Sequence, residues 1–220
     1  MSRKEYRDLL VINKAYDQQM YLYQKHKHSI RGKIVSLSHP HVRPIARGKA
    51  RGAYEFRAKI SAAIAEHGLM YIDRLEWEPY NESGDLQMQV ERYRDRFGHY
   101  PESVHVDKIY RTRENRAWCE ERKIRLSGPP LGRPVSTAGI DKKILRAKRK
   151  QERRDESIRQ AIEGAFGVGK RRYGLDCVYE KLRITSETTI MINMLVLNME
   201  KDPEGSLCAS SYCIQFGNIW

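Results

Sequence analysis

Three charged side chains between residues 155 and 174 are spaced so that they could do chemistry together. Arg159, Glu163 and Lys170 lie at successive offsets of four and seven residues. At about 100° per residue, these offsets place them within roughly a 40° arc of one helix face. A carboxylate between two cations is typical of enzymes that hold metal ions against a nucleic-acid phosphate. A solvated helix with one ion pair has the same pattern, so the motif leaves both interpretations open.

Asp107 is a second candidate, because it directly follows a short strand predicted for residues 103–106. Functional groups of open α/β sheets gather beyond the carboxyl ends of the strands. A turn or helix-capping aspartate would be placed in the same way. Mg²⁺ takes one or two carboxylates together with phosphate oxygens, and paired metal ions can serve both the attacking and the leaving oxygen. Asp107 paired with Glu163 therefore predicts metal-dependent phosphoryl transfer.

The elements that must position these residues follow from hydrophobic periodicity. The pattern predicts helices at 2–25, 81–97, 112–122, 142–170 and 186–201, and strands at 33–38, 54–65, 69–77, 103–106 and 124–126. Ser2 and Glu5 form a predicted capping box, and an apolar stripe follows them. The last helix is apolar nearly all round and is expected to be buried, whereas residues 202–220 show no clear pattern. This order predicts an α/β protein whose mixed sheet is flanked by helices.

Charge and composition select a class of partner. The chain has 220 residues, a net charge of +13 and an isoelectric point near 9.6, which is the electrostatic signature of a protein that binds polyanions. No apolar run approaches the roughly 18 residues of a membrane span, so we expect no membrane partner. With no signal-peptide core and no CxxC pair among the four cysteines, a cytoplasmic location is predicted.

Four long strings resemble a known family. VSLSHPHVRPIARGKA, YNESGDL, YPESVHVDKIYRTRENRAWCEERKIRLSGPPLGRP and IEGAFGVGKRRYGL closely resemble the catalytic half of bacterial insertion-sequence transposases of the DDE type, over roughly residues 2–200. The resemblance implies a ribonuclease-H-like fold and Mg²⁺ or Mn²⁺ held by an Asp-Asp-Glu triad. It also implies hydrolysis of DNA at the element's ends and transfer of the freed 3′-hydroxyl to target DNA, with a homo-oligomer as a possible assembly.

Residue by residue, the resemblance makes Asp107 the second aspartate and Glu163 the glutamate of the triad. Arg159 and Lys170 match the Arg-x3-Glu-x6-Lys signature, but Glu156 stands where the signature has a tyrosine. The first aspartate is expected late in the first strand, near residues 36–41, and that segment holds no carboxylate. Either the strand is elsewhere or this copy is catalytically impaired. Glu66 and Asp73 are more distant substitutes, and the predicted strand order gives neither a good position.

The resemblance also divides the chain. Residues 1–30 are predicted to be a helix left from the linker to a missing DNA-binding region, 31–200 the catalytic domain, and 201–220 a divergent tail. Basic segments are expected to contact the DNA backbone, which positions DNA without reading its sequence. The predicted DNA-binding residues are Arg43, Arg47, Lys49, Lys142, Lys143, Arg146, Arg171 and Arg172.

Two further motifs are weaker. Gly164 and Gly169-Lys170 have the spacing of a nucleotide-binding loop, but Arg171 stands where that loop needs Ser or Thr. These glycines are expected instead to allow close helix approach. The His26/His28 and His39/His41 pairs fit no common zinc finger. The predicted function is therefore the catalytic domain of a DNA transposase, with a non-catalytic DNA-binding remnant, or an unrelated RNA-binding protein, as the alternatives.

Overall fold

A computed structural model describes residues 1–46, 54–65, 68–129, 132 and 141–201, together with the backbone of 213–218. Its helices are α1 (Arg3–Gln24), α2 (Asp85–Phe97), α3 (Arg113–Glu121), α4 (Lys142–Tyr173) and α5 (Arg183–Lys201). Its strands are β1 (Pro44–Ala46), β2 (Tyr54–Phe56), β3 (Lys59–Ile64), β4 (Met70–Glu76), β5 (Ser103–His105), β6 (Arg125–Leu126) and β7 (Cys213–Asn218). The predicted mixed α/β class is confirmed.

The main sheet has five strands in the order β4-β3-β7-β5-β6. β3 runs antiparallel to both of its neighbours, and β5 runs parallel to both β7 and β6. Successive residues of β3 belong to different apolar clusters, because side chains alternate across a sheet. Ile60, Ala62 and Ile64 pack with α4 and α5, whereas Ala63 packs with α2 and α3. Helices therefore cover both faces.

The strand predicted for residues 33–38 is wrong, since this segment has no strand structure. The Gln18 side chain of α1 explains the difference. Its amide donates to the Gly32 carbonyl at 3.0 Å and accepts from the Ile34 N–H at 2.9 Å. The backbone groups that a neighbouring strand would bind are thus partly satisfied by a helix side chain. The single strand predicted for residues 54–65 is also divided, because β2 pairs with β1 and β3 pairs with β4.

Sequence periodicity missed two strands, the short β1 and the six-residue β7. β7 occupies the middle of the main sheet, with Gln215 opposite both Ile64 of β3 and His105 of β5. Its sequence, CIQFGN, ends in two residues that are depleted in strands. The strand is therefore specified by its pairing with distant segments, and a local pattern could not have predicted it.

Two predicted apolar surfaces face solvent instead of the core. α5 is buried on one side by residues such as Ile190 and Met194, but Ile192, Leu195 and Met199 on its other side are more than half exposed. The apolar stripe of α1 is likewise largely exposed, although its capping box between Ser2 and Glu5 is confirmed. The expectation of a fully buried last helix is therefore wrong. Among the described helices, none is long and apolar enough to cross a membrane.

The glycines of α4 yield a prediction about stability. A Cβ on Gly164 would meet no atom within 4 Å, whereas a Cβ on Gly169 would lie 2.5 Å from Leu175 Cδ1. The expected close approach therefore holds at Gly169 and not at Gly164.

We expect Gly164→Ala to raise the free energy of unfolding by up to about 1 kcal/mol, because alanine is the better helix former. Gly169→Ala should lower it, since overpacking costs about 1–3 kcal/mol. Urea unfolding of the two variants measures both values, and equal effects would contradict this packing.

Candidate active site

Asp107 lies two residues beyond the end of β5, and the fully buried Val106 stands between them. Its backbone is extended, and it precedes a single turn of 3-10 helix at Lys108–Tyr110. The Asp107 side chain makes no capping hydrogen bond to that turn. It is 45% exposed, so its carboxylate is open to solvent. Asp107 thus occupies the cap position of a turn, as the alternative interpretation expects, but its side chain does not act as the cap.

The Arg159 guanidinium brings Asp107 and Glu163 together. Its Nη1 donates to Asp107 Oδ1 at 2.6 Å and to Glu163 Oε1 at 2.9 Å. Because both oxygens bind one nitrogen, the distance between them cannot exceed the sum of these two distances. Two acids that are far apart in the sequence thus converge at the edge of the sheet. The helical spacing that predicted an Arg159–Glu163 pair on α4 is confirmed.

A third carboxylate also holds Arg159. Glu156 Oε2 accepts from Arg159 Nε at 3.1 Å, and Glu156 Oε1 accepts from Nη2 at 2.7 Å. The hydrogen bond from Arg159 lowers the pKa of Glu156, and the hydrogen bond to Glu156 is the main cause that raises the pKa of Arg159. The guanidinium therefore stays charged and oriented. In the sequence, Glu156 stands out as a departure from the family signature, and its offset of three from Arg159 is also the signal for this ion pair.

A buried polar network fixes α4 against the sheet next to these acids. Asp155 accepts from Arg125 of β6 at 2.7 and 2.9 Å and from Gln151 at 2.9 Å. His105 Nδ1 of β5 lies 3.6 Å from Asp155 Oδ1. Burial lowers the pKa of His105, so the imidazole is neutral at pH 7. The network joins the strand that precedes Asp107 to the helix that carries Glu163.

This network contains the residue types of a nucleophilic triad, because Ser103 Oγ lies 3.1 Å from His105 Nε2. Two observations argue against that function. The distance of 3.6 Å between His105 and Asp155 is too long for a hydrogen bond. Ser103, His105 and Asp155 are 5%, 0% and 8% exposed, so no substrate reaches the serine. The network is therefore structural.

Lys170 is not brought to the acid pair. It lies seven residues beyond Glu163, about 10.5 Å along the helix axis. There it lines a cavity of about 920 Å³ that is also bordered by His39, His41 and Arg57. Burial, and then the charge of Arg57, lowers the pKa of Lys170. Sharing a helix face with Glu163 does not make this lysine a neighbour of Asp107.

The predicted DNA contacts fall into three groups. Arg43 is bound within the protein, to Glu78 Oε1 at 2.8 Å and to the Pro40 carbonyl at 2.7 Å. Arg172 binds Glu200 of α5 at 2.6 Å, and Arg171 lies against Gly167. Lys142, Lys143 and Arg146 are exposed on α4, and no ion pair within the described ranges involves them. Arg47 and Lys49 lie outside the described residues.

The acid pair has the chemistry of a divalent-cation site. Hard carboxylate oxygens are the protein ligands that Mg²⁺ and Mn²⁺ prefer. The Arg159 Nη1 nitrogen lies between the two acids and binds both, so it supplies the positive charge at this position. The described residues offer no third ligand, because no three of their His, Cys, Asp or Glu side chains form a group suited to a metal. Asp73 is no substitute, because it is buried with Arg96 and Gln89, and Glu66 lies outside the described residues.

Comparison with known proteins agrees with this geometry. Residues 104–200 match the family described as a transposase DDE domain. The matched stretch contains Asp107, Arg159, Glu163 and Lys170. No curated protein and no solved structure matches the chain. The resemblance to DDE-type transposases is confirmed.

Proposed function

Because residues 104–200 carry a transposase DDE domain, we propose that this protein catalyses DNA cleavage and strand transfer with the help of Mg²⁺ or Mn²⁺. One observation carries the proposal: Asp107 and Glu163 bind the same nitrogen of Arg159. Two carboxylates that converge from a strand end and a helix, open to solvent, can hold a cation against an incoming phosphate. Asp107 is 45% and Glu163 is 61% exposed, so an incoming phosphate can reach both carboxylates.

In this proposal Asp107 and Glu163 hold the divalent ion, and Arg159 orients them. When bound, the ion would supply Lewis acidity that stabilises charge on the attacking and leaving oxygens of the phosphodiester. Arg159 keeps both carboxylates aligned, and Glu156 fixes the guanidinium from the opposite side. Lys170 is too far along the helix to act on the same phosphate, so we assign it no part in the chemistry.

The strand arrangement supports a ribonuclease-H-like fold for this site. The sheet is mixed, has helices on both faces, and carries Asp107 just beyond β5. We take residues 31–200 as the catalytic unit, with residues 1–30 as an appended helix. The position of β7 in the middle of the sheet favours including residues 213–218 in the unit and not in a separate tail. DNA is the proposed partner, the proposed location is the cytoplasm, and a homo-oligomer is the proposed assembly.

A non-catalytic DNA-binding remnant is the second candidate, and two observations favour it. The middle strand of the sheet, Cys213–Asn218, contains no carboxylate, so this strand supplies no third acid. The described residues also show no third ligand beside Asp107 and Glu163. In such a remnant Arg159 would permanently neutralise the two acids.

Nicking of supercoiled plasmid DNA separates the two candidates without knowledge of the element's ends. The proposed enzyme converts supercoiled DNA to open circles when Mg²⁺ or Mn²⁺ is titrated in, and chelation by EDTA stops the reaction. The remnant binds the same plasmid in a salt-dependent manner and never nicks it. Absence of nicking at saturating Mn²⁺, with DNA binding intact, would overturn the catalytic proposal.

A further inference from the structure

The first half of α4 is a projecting basic helix. Eight of its residues from 142 to 154 are cationic, and Glu152 is the single acid among these thirteen positions. Every described side chain of this stretch is exposed except Leu145, which is half-buried. Ile144 is 62% exposed although it lies on the same side of the helix as the buried Asp155. This part of α4 therefore extends away from the described core, which begins to contact the helix at Asp155.

Four of the cations form one stripe. At about 100° per residue, Lys142, Arg146, Arg149 and Arg153 lie within roughly a 60° arc, on the side of the helix opposite Asp155. Arg146, Arg149 and Arg153 also border one shallow groove along the helix. None of the four makes an ion pair with any residue in the described part of the chain. Lys143 lies outside this arc.

The stripe leads toward the acid pair. Arg149, Glu156 and Glu163 follow one another at intervals of seven residues, so they drift by only about 20° per step around the helix. Beyond Glu156 the same side of α4 carries Gly164, which is exposed and has no neighbour that a Cβ would meet. A glycine within a helix costs about 1 kcal/mol relative to alanine. Packing within the protein does not explain why a glycine stands at position 164. A backbone without a side chain allows another molecule to approach the helix closely.

We infer that Lys142, Arg146, Arg149 and Arg153 bind backbone phosphates of duplex DNA and direct the strand along α4 to Asp107 and Glu163. This inference rests on the proposed function, since it takes DNA as the substrate. The four residues span about 17 Å of helix axis, which corresponds to about five base pairs at 3.4 Å each. The contacts are with the backbone, so they hold duplex DNA of any sequence.

The test compares two quadruple variants in an Asp107→Asn background, in EDTA, so that DNA is bound and not cut. One variant changes the four stripe residues to Ala. The matched control changes Arg3, Lys4, Lys14 and Lys25 to Ala, which are exposed on or just after α1 and make no ion pair among the described residues. Both variants lose four positive charges. Fluorescence anisotropy with a 20-base-pair duplex at several salt concentrations gives the affinity and its salt dependence.

Each phosphate contact contributes about 0.9 to the slope of log K against log salt. The stripe variant should therefore lose about 3.6 from the slope and bind at least about tenfold more weakly at 100 mM salt. The control should keep the parent slope to within about one contact. Equal losses in both variants would show a general charge effect and overturn the inference. A loss of affinity confined to duplex RNA of the same length would also overturn the inference.

These outcomes are separable from those of the nicking assay. Suppose that wild-type protein fails to nick DNA, but the stripe variant shows a smaller slope of log K against log salt. The proposed reaction is then wrong, and the stripe remains a DNA-binding surface. If nicking depends on Asp107 but both quadruple variants bind alike, the reaction stands and the stripe is wrong. Circular dichroism at 222 nm confirms that α4 remains helical in the variant, as alanine's helix propensity predicts.

Discussion

Asp107→Asn is expected to lower the rate of Mn²⁺-dependent plasmid nicking at least a hundredfold, and Glu163→Gln should do the same. Loss of outer-shell partners of a metal typically costs about 10–100-fold, and a direct carboxylate ligand should cost more. The two acids bind one guanidinium nitrogen, so they act as a unit. The double variant should therefore be little worse than either single variant, because groups that act together have strongly non-additive effects.

Glu156→Gln is the matched control for this experiment. Glu156 is on the same helix and binds the same guanidinium, but it contacts Arg159 from the other side. We expect its nicking rate to fall less than tenfold, since its role is to position Arg159. Equal losses from all three substitutions would indicate a general disturbance of α4. Unchanged nicking in Asp107→Asn would exclude this acid from the reaction.

Asp155→Ala should have the largest effect on stability among the changes considered. It removes the acceptor for Arg125 and Gln151 and the neighbour of the fully buried His105. Breaking a buried ion pair costs about 3–5 kcal/mol, but Arg125 is 45% exposed and can return to water. We therefore expect a loss of about 2–3 kcal/mol in the free energy of unfolding, measured by urea denaturation.

Glu200→Ala provides the comparison for Asp155. Glu200 also accepts an arginine hydrogen bond, at 2.6 Å from Arg172, but both side chains are largely exposed. Exposed pairs contribute about 0–1 kcal/mol, so the loss should be correspondingly small. A loss in Asp155→Ala no larger than that in Glu200→Ala would show that the network does not hold α4 against the sheet.

The contribution of Asp155 should also depend on pH. Burial raises the pKa of Asp155, but hydrogen bonds from Arg125 and Gln151, together with the charge of Arg125, leave the pKa below its usual value. A carboxyl with a lowered folded-state pKa stabilises the protein above its unfolded pKa of about 3.9 and loses that effect as pH falls through the folded value. The stability difference between wild type and Asp155→Asn should thus be constant from pH 5 to 7 and shrink below about pH 4. A difference that grows on acidification would contradict the direction of this shift.

Elements with strong local signals could be predicted from the sequence. The 3.6-residue period of α4 predicted that Arg159 and Glu163 would pair, and the short apolar run before Asp107 predicted its place at a strand end. Both predictions depend only on residues that are close together in the sequence. The same period failed for Lys170, since seven residues restore the direction of a side chain but move it about 10.5 Å along the axis.

Elements specified by distant contacts could not be predicted. β7 is a strand because β3 and β5 leave a gap between them, and its own residues give little indication of it. Residues 33–38 alternate like a strand, but the Gln18 side chain binds the Gly32 carbonyl and the Ile34 N–H instead. For α5, an apolar composition did not decide how much of the helix the rest of the chain would cover. In each case tertiary pairing overrides local propensity.

If Asp107 and Glu163 share one divalent cation, Fe²⁺ bound in its place should reveal both residues at once. Fe²⁺ in place of Mg²⁺, with ascorbate and peroxide, generates hydroxyl radicals that cut the polypeptide close to the metal. We expect cuts near both residue 107 and residue 163, suppressed by excess Mg²⁺ and lost from both places in Asp107→Asn and in Glu163→Gln. Cutting near only one of the two residues, or cutting that persists in either variant, would contradict a shared site.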